Sequence, residues 1–312
     1  CRGGGADADP SVGEPLPAVA GEDRFVAARG GERDDRFVGV TMIDWPSNIR
    51  YPTFWNVRSD GLMAANPFGV SSFLKEATGY GVVYFAAEML ATRRETLEKK
   101  TCLVSGSGNV AQFTTEKILE LGGRVVTMSD SSGYIYDEGG IDRDKLKFIM
   151  ELKNIRRGRI SDYADVYPEA IYTPVDPALD YNPLWNHLAD CAFPSATQNE
   201  INDRDATNLL ANGVYLVSEG ANMPSTPEAV DQFIDQQILY GPGKAANAGG
   251  VAVSGLEMTQ NSMRLSWSRD ELNEHLCEIM RDIHRSCVHY GSADDGRVDY
   301  LKGATIAGFK KV

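Results

Sequence analysis

The most constraining feature of this chain is a short apolar run that ends at two closely spaced glycines. Lys100–Ser105 reads KTCLVS, and Gly106-Ser107-Gly108-Asn109-Val110-Ala111 follows at once. Helical spacing then runs from Asn109 to Leu121. A run this short and this apolar fits a strand buried in a parallel sheet. G-x-G-x-x-A between a strand and a helix is a turn that can bring backbone against a pyrophosphate. Gly106 permits the tight turn, Gly108 puts no side chain in the way, and Ala111 lets the helix pack close to the strand. The first N–H groups of the helix have no partner within it, so they can meet phosphate charge.

The rest of the chain from Glu76 onward repeats the alternation of strand and helix. Thr78–Arg94 reads as a helix with Val82, Val83, Phe85, Ala86, Met89 and Leu90 on its apolar side. Arg124–Ser129, Asp190–Phe193, Val214–Ser218 and Ile238–Tyr240 read as strands, and Asp142–Leu152 and Val251–Ser266 as helices. Thr226-Pro227-Glu228 is a helix start with proline at the first helical position. Ser268 and Glu271 form a capping box that opens a long helix to about Tyr290. The expected fold is α/β: a Rossmann-like, doubly wound, mostly parallel sheet followed by a C-terminal helical segment.

Residues 1–75 differ. They hold seven Arg but one Lys, ten Gly and six Pro, and a near-repeat of Asp23-Arg24-Phe25-Val26 at Asp35-Arg36-Phe37-Val38. No periodicity of 2 or 3.6 persists there. The expected division is therefore an irregular segment, 1–75, and a dinucleotide-binding domain with C-terminal helices, 76–312.

Composition narrows the partners. A formal charge of −13 argues against general nucleic-acid binding. No apolar run approaches the roughly 20 residues of a membrane span. Five scattered cysteines make neither a disulfide framework nor a zinc spacing, and His187, His275, His284 and His289 share no metal-site pattern, so no metal is expected. No secretory signal is visible, and a reducing, cytoplasmic setting is the expectation.

The second strand ends at Asp130. An acid there can accept from a ribose 2′-hydroxyl, which implies NAD. Ser131 and Ser132 follow it, and Lys153, Arg156, Arg157 and Arg159 come soon after. Hydroxyls and cations suit a 2′-phosphate, so NADP is expected, with NAD the other reading. Three further segments each follow a strand: Pro194–Glu200 (PSATQNE), Glu219–Pro224 (EGANMP) and Lys244–Gly250 (KAANAGG). Each brings small residues and an asparagine to a strand's carboxyl end, where open α/β sheets bind ligands. Together they read as one pocket, because an asparagine can pair both groups of a carboxamide.

These segments carry a family resemblance. EATGYGVVYF (76–85), VSGSGNVAQ (104–112), SDSSG (129–133), PSATQNE, EGANMP, GKAANAGGVAVSGLEM (243–258) and GATIAGFKKV (303–312) resemble the hexameric, NADP-dependent glutamate dehydrogenases. The resemblance implies interconversion of 2-oxoglutarate, ammonium and NADPH with L-glutamate, water and NADP, in a homo-hexamer. It implies that Thr78, Asn199, Asn222 and Asn247 lie near the nicotinamide, with Ala196 and Thr197 in the same cofactor loop. It places Ser107, Asn109 and Val110 at the pyrophosphate, and Asp130, Ser131 and Lys153 at the adenine ribose and its phosphate. It places Val251 and Ser254 at the substrate side chain. An apolar residue at 254 would favour the leucine and phenylalanine enzymes, so glutamate is the expected substrate.

Some of the pattern is missing. The family's glycine-rich lysine loop and its P-A-G-D segment are not found intact, so no catalytic residue is assigned. Cys1–Pro10 (CRGGGADADP) echoes the end of that loop without its lysine, and Leu74-Lys75 stands where the family has Arg-Pro. Residues 1–75 are therefore expected to be either an irregular, linker-like segment or a substrate-domain remnant in a partly shifted reading frame. The chain as written is expected to be inactive, and the alternative is a non-catalytic NADP(H)-binding module.

Overall fold

A computed structural model describes residues 73–310, Asp295 excepted. The DRFV repeat and the Cys1–Pro10 segment lie outside the described residues. Helix α1 (Leu74–Thr92) leads into β1 (Thr101–Val104), the glycine turn and α2 (Asn109–Glu120). Then come β2 (Arg124–Asp130), β3 (Gly133–Tyr136), α3 (Arg143–Glu151), a π-helical turn (Leu152–Arg156), α4 (Asp162–Val166) and β4 (Ile171–Pro174). After a 3₁₀ turn (Pro183–Asn186) follow β5 (Cys191–Phe193), α5 (Asp203–Ala211), β6 (Leu216–Ser218), α6 (Pro227–Asp235) and β7 (Leu239–Gly241). The last helices are α7 (Gly243–Ala246), α8 (Gly249–Met263), α9 (Arg269–Gly291) and α10 (Tyr300–Lys310).

The seven strands order as β4-β3-β2-β1-β5-β6-β7. β2, β1, β5, β6 and β7 are parallel neighbours, and β3 and β4 add antiparallel pairs at one edge. The mostly parallel α/β fold is thus as expected. The β3–β4 edge was not anticipated, because GYIY and IYTP are too short to show a period of their own. Strand and helix ends otherwise move by one to four residues: α1 starts at Leu74 rather than Thr78, and α8 at Gly249 rather than Val251.

Alternation along the parallel strands builds two cores. Cys102, Val104, Cys191, Phe193, Leu216 and Leu239 face a core that includes Phe85, Met89 and Ile118. Their neighbours Leu103, Ala192, Val217 and Tyr240 face the other, with Trp185, Leu209 and Phe233. A sheet covered on both faces needs apolar residues at both parities, which is why these strands read as continuous apolar runs. Cys102 and Cys191 stand in register on adjacent strands, buried and without a disulfide. His284 is buried against Phe85 and Tyr300, so with Cys287 it belongs to the packing of α9.

Candidate functional site, a dinucleotide cleft at the switch point

β1 is flanked by β2 on one side and β5 on the other, and the chain fills those two sides in separate passes. The carboxyl ends of β1 and β5 therefore diverge into opposite crossovers and leave a crevice between them. The glycine turn lies at this crevice. Gly106 has φ +82, and a Cβ there would come within 3.0 Å of the Ser195 carbonyl oxygen. Both the backbone sign and the space require glycine. The turn is held to β2 by Ser129: its Oγ accepts from Gly106 N at 2.7 Å, and its N–H donates to Gly106 O at 3.1 Å. Gln112 holds it from the other side, donating to Ser107 O at 2.7 Å and to Asn154 at 3.2 Å.

Helix α2 starts without a side-chain cap and carries no acidic residue in its first turn. Its N-terminal partial positive charge is therefore not offset by its own first turn. Among the described residues, nothing lies within 4 Å of where a Cβ on Gly108 would stand. Asn109 is exposed and Val110 half-buried, while Ser107 is 5% exposed. Open space in front of unpaired donors fits a pyrophosphate.

At the end of β2, Asp130 has both oxygens occupied. Oδ1 accepts from Ser132 N at 2.9 Å and Ser132 Oγ at 2.6 Å. Oδ2 accepts from Lys153 Nζ at 2.9 Å and Ile160 N at 2.9 Å. Burial would raise its pKa, but these hydrogen bonds from Ser132, Lys153 and Ile160 outweigh it and hold the carboxyl at about 2. The π-helical turn after α3 ends on Arg157 at φ 56 and returns Lys153 to Asp130, with Nζ also donating to Gly158 O at 2.9 Å. Arg159 donates to Ser131 Oγ at 2.9 Å, whereas Arg156 turns to Glu151 at 2.7 Å. Of the four expected cations, Lys153 and Arg159 thus stand at the β2–β3 turn.

The three loops after β5, β6 and β7 do converge. Gly220 N and Ala221 N donate to Pro194 O at 2.8 and 3.0 Å, and Asn199 N donates to Met223 O at 2.9 Å. Asn199 and Met223 both adopt positive φ, at 54 and 47. Asn247 is 1% exposed, and its Nδ2 donates to Asn222 Oδ1 at 2.9 Å and Ala221 O at 3.2 Å. These bonds fix the Glu219–Pro224 loop. Asn222 is half-buried and Asn199 exposed, so they are the two asparagines that reach the open side. Ala196 and Thr197 are exposed, and their N–H groups turn to Glu200.

Thr78, on α1, packs against the start of α8: a Cβ on Gly250 would lie 2.4 Å from its hydroxyl. Val251 is 40% exposed, and Ser254, one turn on, donates to Gly250 O at 3.0 Å. Sequence reasoning missed Ser129, Gln112, Arg159's partner and the carboxylate Glu219. Glu219 is 3% exposed and accepts from Gly243 N at 2.7 Å and Tyr240 OH at 2.8 Å. The sequence signal for Glu219 was its place immediately after a strand. Among the described residues, no group of three or more His, Cys, Asp or Glu could hold a metal ion. Nor is any helix among them long and apolar enough to cross a membrane.

Comparison with known proteins agrees with this geometry. A "Glutamate dehydrogenase" of Bacteroides thetaiotaomicron is 60% identical over 245 residues, covering 78% of this chain and 54% of that protein. An "NAD(P)-specific glutamate dehydrogenase" of Xylanibacter ruminicola is 58% identical over the same length and shares. The crystal structure of a Plasmodium falciparum glutamate dehydrogenase matches with TM-score 0.72 and 44% identity, covering 77% of this chain and 50% of that one. The chain spans about half the length of these relatives. A model of a family of unknown function (DUF6807) matches residues 11–118, the first part of which lies outside the described residues. The model of glutamate/leucine/phenylalanine/valine dehydrogenases matches residues 69–312, and the chain belongs to that family.

Proposed function

We propose that this chain is the dinucleotide-binding half of an NADP-dependent glutamate dehydrogenase. The observation that carries the cofactor choice is the saturation of Asp130. With four donors on its two oxygens, its acceptor sites are taken up within the protein. It orients Ser132 and Lys153 instead of receiving a ribose 2′-hydroxyl. Those groups, with Ser131 and Arg159, present hydroxyls and cations where a 2′-phosphate would lie. NAD is the less favoured cofactor on this ground.

The uncapped start of α2 would hold the pyrophosphate through Ser107, Asn109 and Val110. Thr78, Asn199, Asn222 and Asn247 would frame the nicotinamide, Asn247 by fixing the loop that carries Asn222. When bound, the cofactor supplies hydride exchange with the substrate α-carbon. Val251 and Ser254, on the exposed side of α8, would meet the side chain of glutamate or 2-oxoglutarate, and ammonium is the third reactant. The working form would be a cytoplasmic homo-hexamer.

A second reading has its own observation. Proton transfer at the substrate amine needs a positioned base, worth about 10²–10⁴-fold. The lysine loop and the P-A-G-D aspartate are absent from the 312 residues. The polypeptide as written would then bind NADP(H) without turnover. Purified chain is tested for NADPH binding and for 2-oxoglutarate-dependent NADPH oxidation. Binding without turnover is what both readings expect of these 312 residues, turnover at family-like rates overturns the non-catalytic one, and the absence of binding sinks both.

A further inference from the structure

Glu200 has no part in the reading above, yet it touches both halves of the cleft. Its Oε1 accepts from Ala196 N at 3.0 Å and Thr197 N at 3.3 Å. The Ser105 hydroxyl stands close enough to its carboxyl to lower its pKa. Ser105 immediately precedes Gly106, and its Oγ accepts from Ser195 N at 2.8 Å. One carboxyl group therefore meets the residue that opens the phosphate turn and two amides of the loop that ends in Asn199. We propose that Glu200 is a positioning residue for the dinucleotide: it fastens the Ala196–Asn199 loop to the phosphate turn, and cofactor binding draws a proton onto it.

The proton follows from the surroundings. Among the described residues, a second carboxylate, Glu219 at the end of β6, acts on Glu200 and raises its pKa. Burial, with Glu219 adding to it, pushes Glu200 up to about 7 against the lowering hydrogen bonds from Ser105, Ala196 and Thr197. A dinucleotide over this loop would exclude water and add negative charge. Both effects raise the pKa further, so binding takes up a proton from solvent wherever free Glu200 is ionised. Affinity then falls as pH rises above about 7.

This inference rests on the dinucleotide reading, and the test separates the two. NADPH would be titrated calorimetrically into the full 312-residue chain between about pH 6 and about pH 8.5, in buffers of different ionisation enthalpy. Wild type should take up a fraction of a proton at about pH 7.5, and its Kd should rise several-fold across the range. Glu200→Gln keeps an acceptor for the two amides but does not titrate. It should bind as wild type does at low pH, without the proton uptake. Glu200→Ala should raise Kd about tenfold at all pH values, the scale of one or two lost hydrogen bonds. If Glu200→Ala does not fold, Glu200→Gln carries the test. Unchanged proton uptake in Glu200→Gln, or wild-type affinity in Glu200→Ala, overturns the positioning role with the dinucleotide reading intact. Failure of all three proteins to bind NADPH or NADH removes the reading itself.

Discussion

Replacing Asp130 by Asn removes a charge from the centre of the β2–β3 turn. The carboxyl sits at about 2 against an ordinary value of 3.8, because the donated hydrogen bonds outweigh burial. A shift of about two units at about 1.4 kcal/mol each corresponds to roughly 2–3 kcal/mol of native-state stability. The sign is that of a depressed acid: the contribution is complete above about pH 4 and is lost as pH falls toward about 2. Asn loses the charge and also turns an N–H₂ toward Ser132 or toward Lys153 and Ile160, all of them donors. At roughly 2–4 °C per kcal/mol for a domain of this size, Tm at neutral pH should fall by roughly 5–10 °C. The gap to wild type should close between about pH 4 and about pH 2. Thermal unfolding by circular dichroism across pH measures both. A variant within about 2 °C of wild type at neutral pH refutes the argument. Cofactor binding adds a second arm. Released Lys153 and Ser132 should weaken NADPH more than NADH, whereas a ribose acceptor at 130 would lose NADH more.

Other perturbations read other parts of the account. Arg159→Ala should weaken NADPH binding about tenfold and leave NADH within about twofold, because one cation at the β2–β3 turn is lost. Ser129→Ala strands the buried Gly106 N–H and should cost about 1–3 kcal/mol in unfolding free energy, with weaker binding of both dinucleotides. Gly249→Ala and Gly255→Ala form a matched pair on α8. A Cβ at 249 would lie against the Ala77 carbonyl oxygen of α1, whereas one at 255 meets no described residue within 4 Å. The first should destabilise by about 1–3 kcal/mol or more and the second should stabilise by about 1 kcal/mol in denaturant melts.

What was legible in the sequence was what local chemistry dictates. The strand–turn–helix at Lys100–Leu121 was readable because its glycines, its apolar run and its helix start are contiguous. The Ser268–Glu271 capping box was readable for the same reason, and both of its reciprocal bonds are present. What was not legible depends on distant partners. β3 and β4 exist because four residues of each pair with the other, and Ile171 is left 61% exposed at the edge. Asp130 looks alike in sequence whether it is free or saturated. Its partners Lys153 and Ile160 arrive through a π-helical turn that no periodicity announces. Asn247 is legible only as an amide in a loop; that its Nδ2 donates to Ala221 O and Asn222 Oδ1 follows from the fold.

The most direct test of the central claim is equilibrium binding of NADPH and NADH to the purified 312-residue chain. The account predicts that both bind and that NADPH binds tighter, by about tenfold or more, because hydroxyls and cations rather than a free carboxylate stand at the end of β2. Tighter binding of NADH would contradict the role given to Asp130, and no binding of either would contradict the dinucleotide cleft.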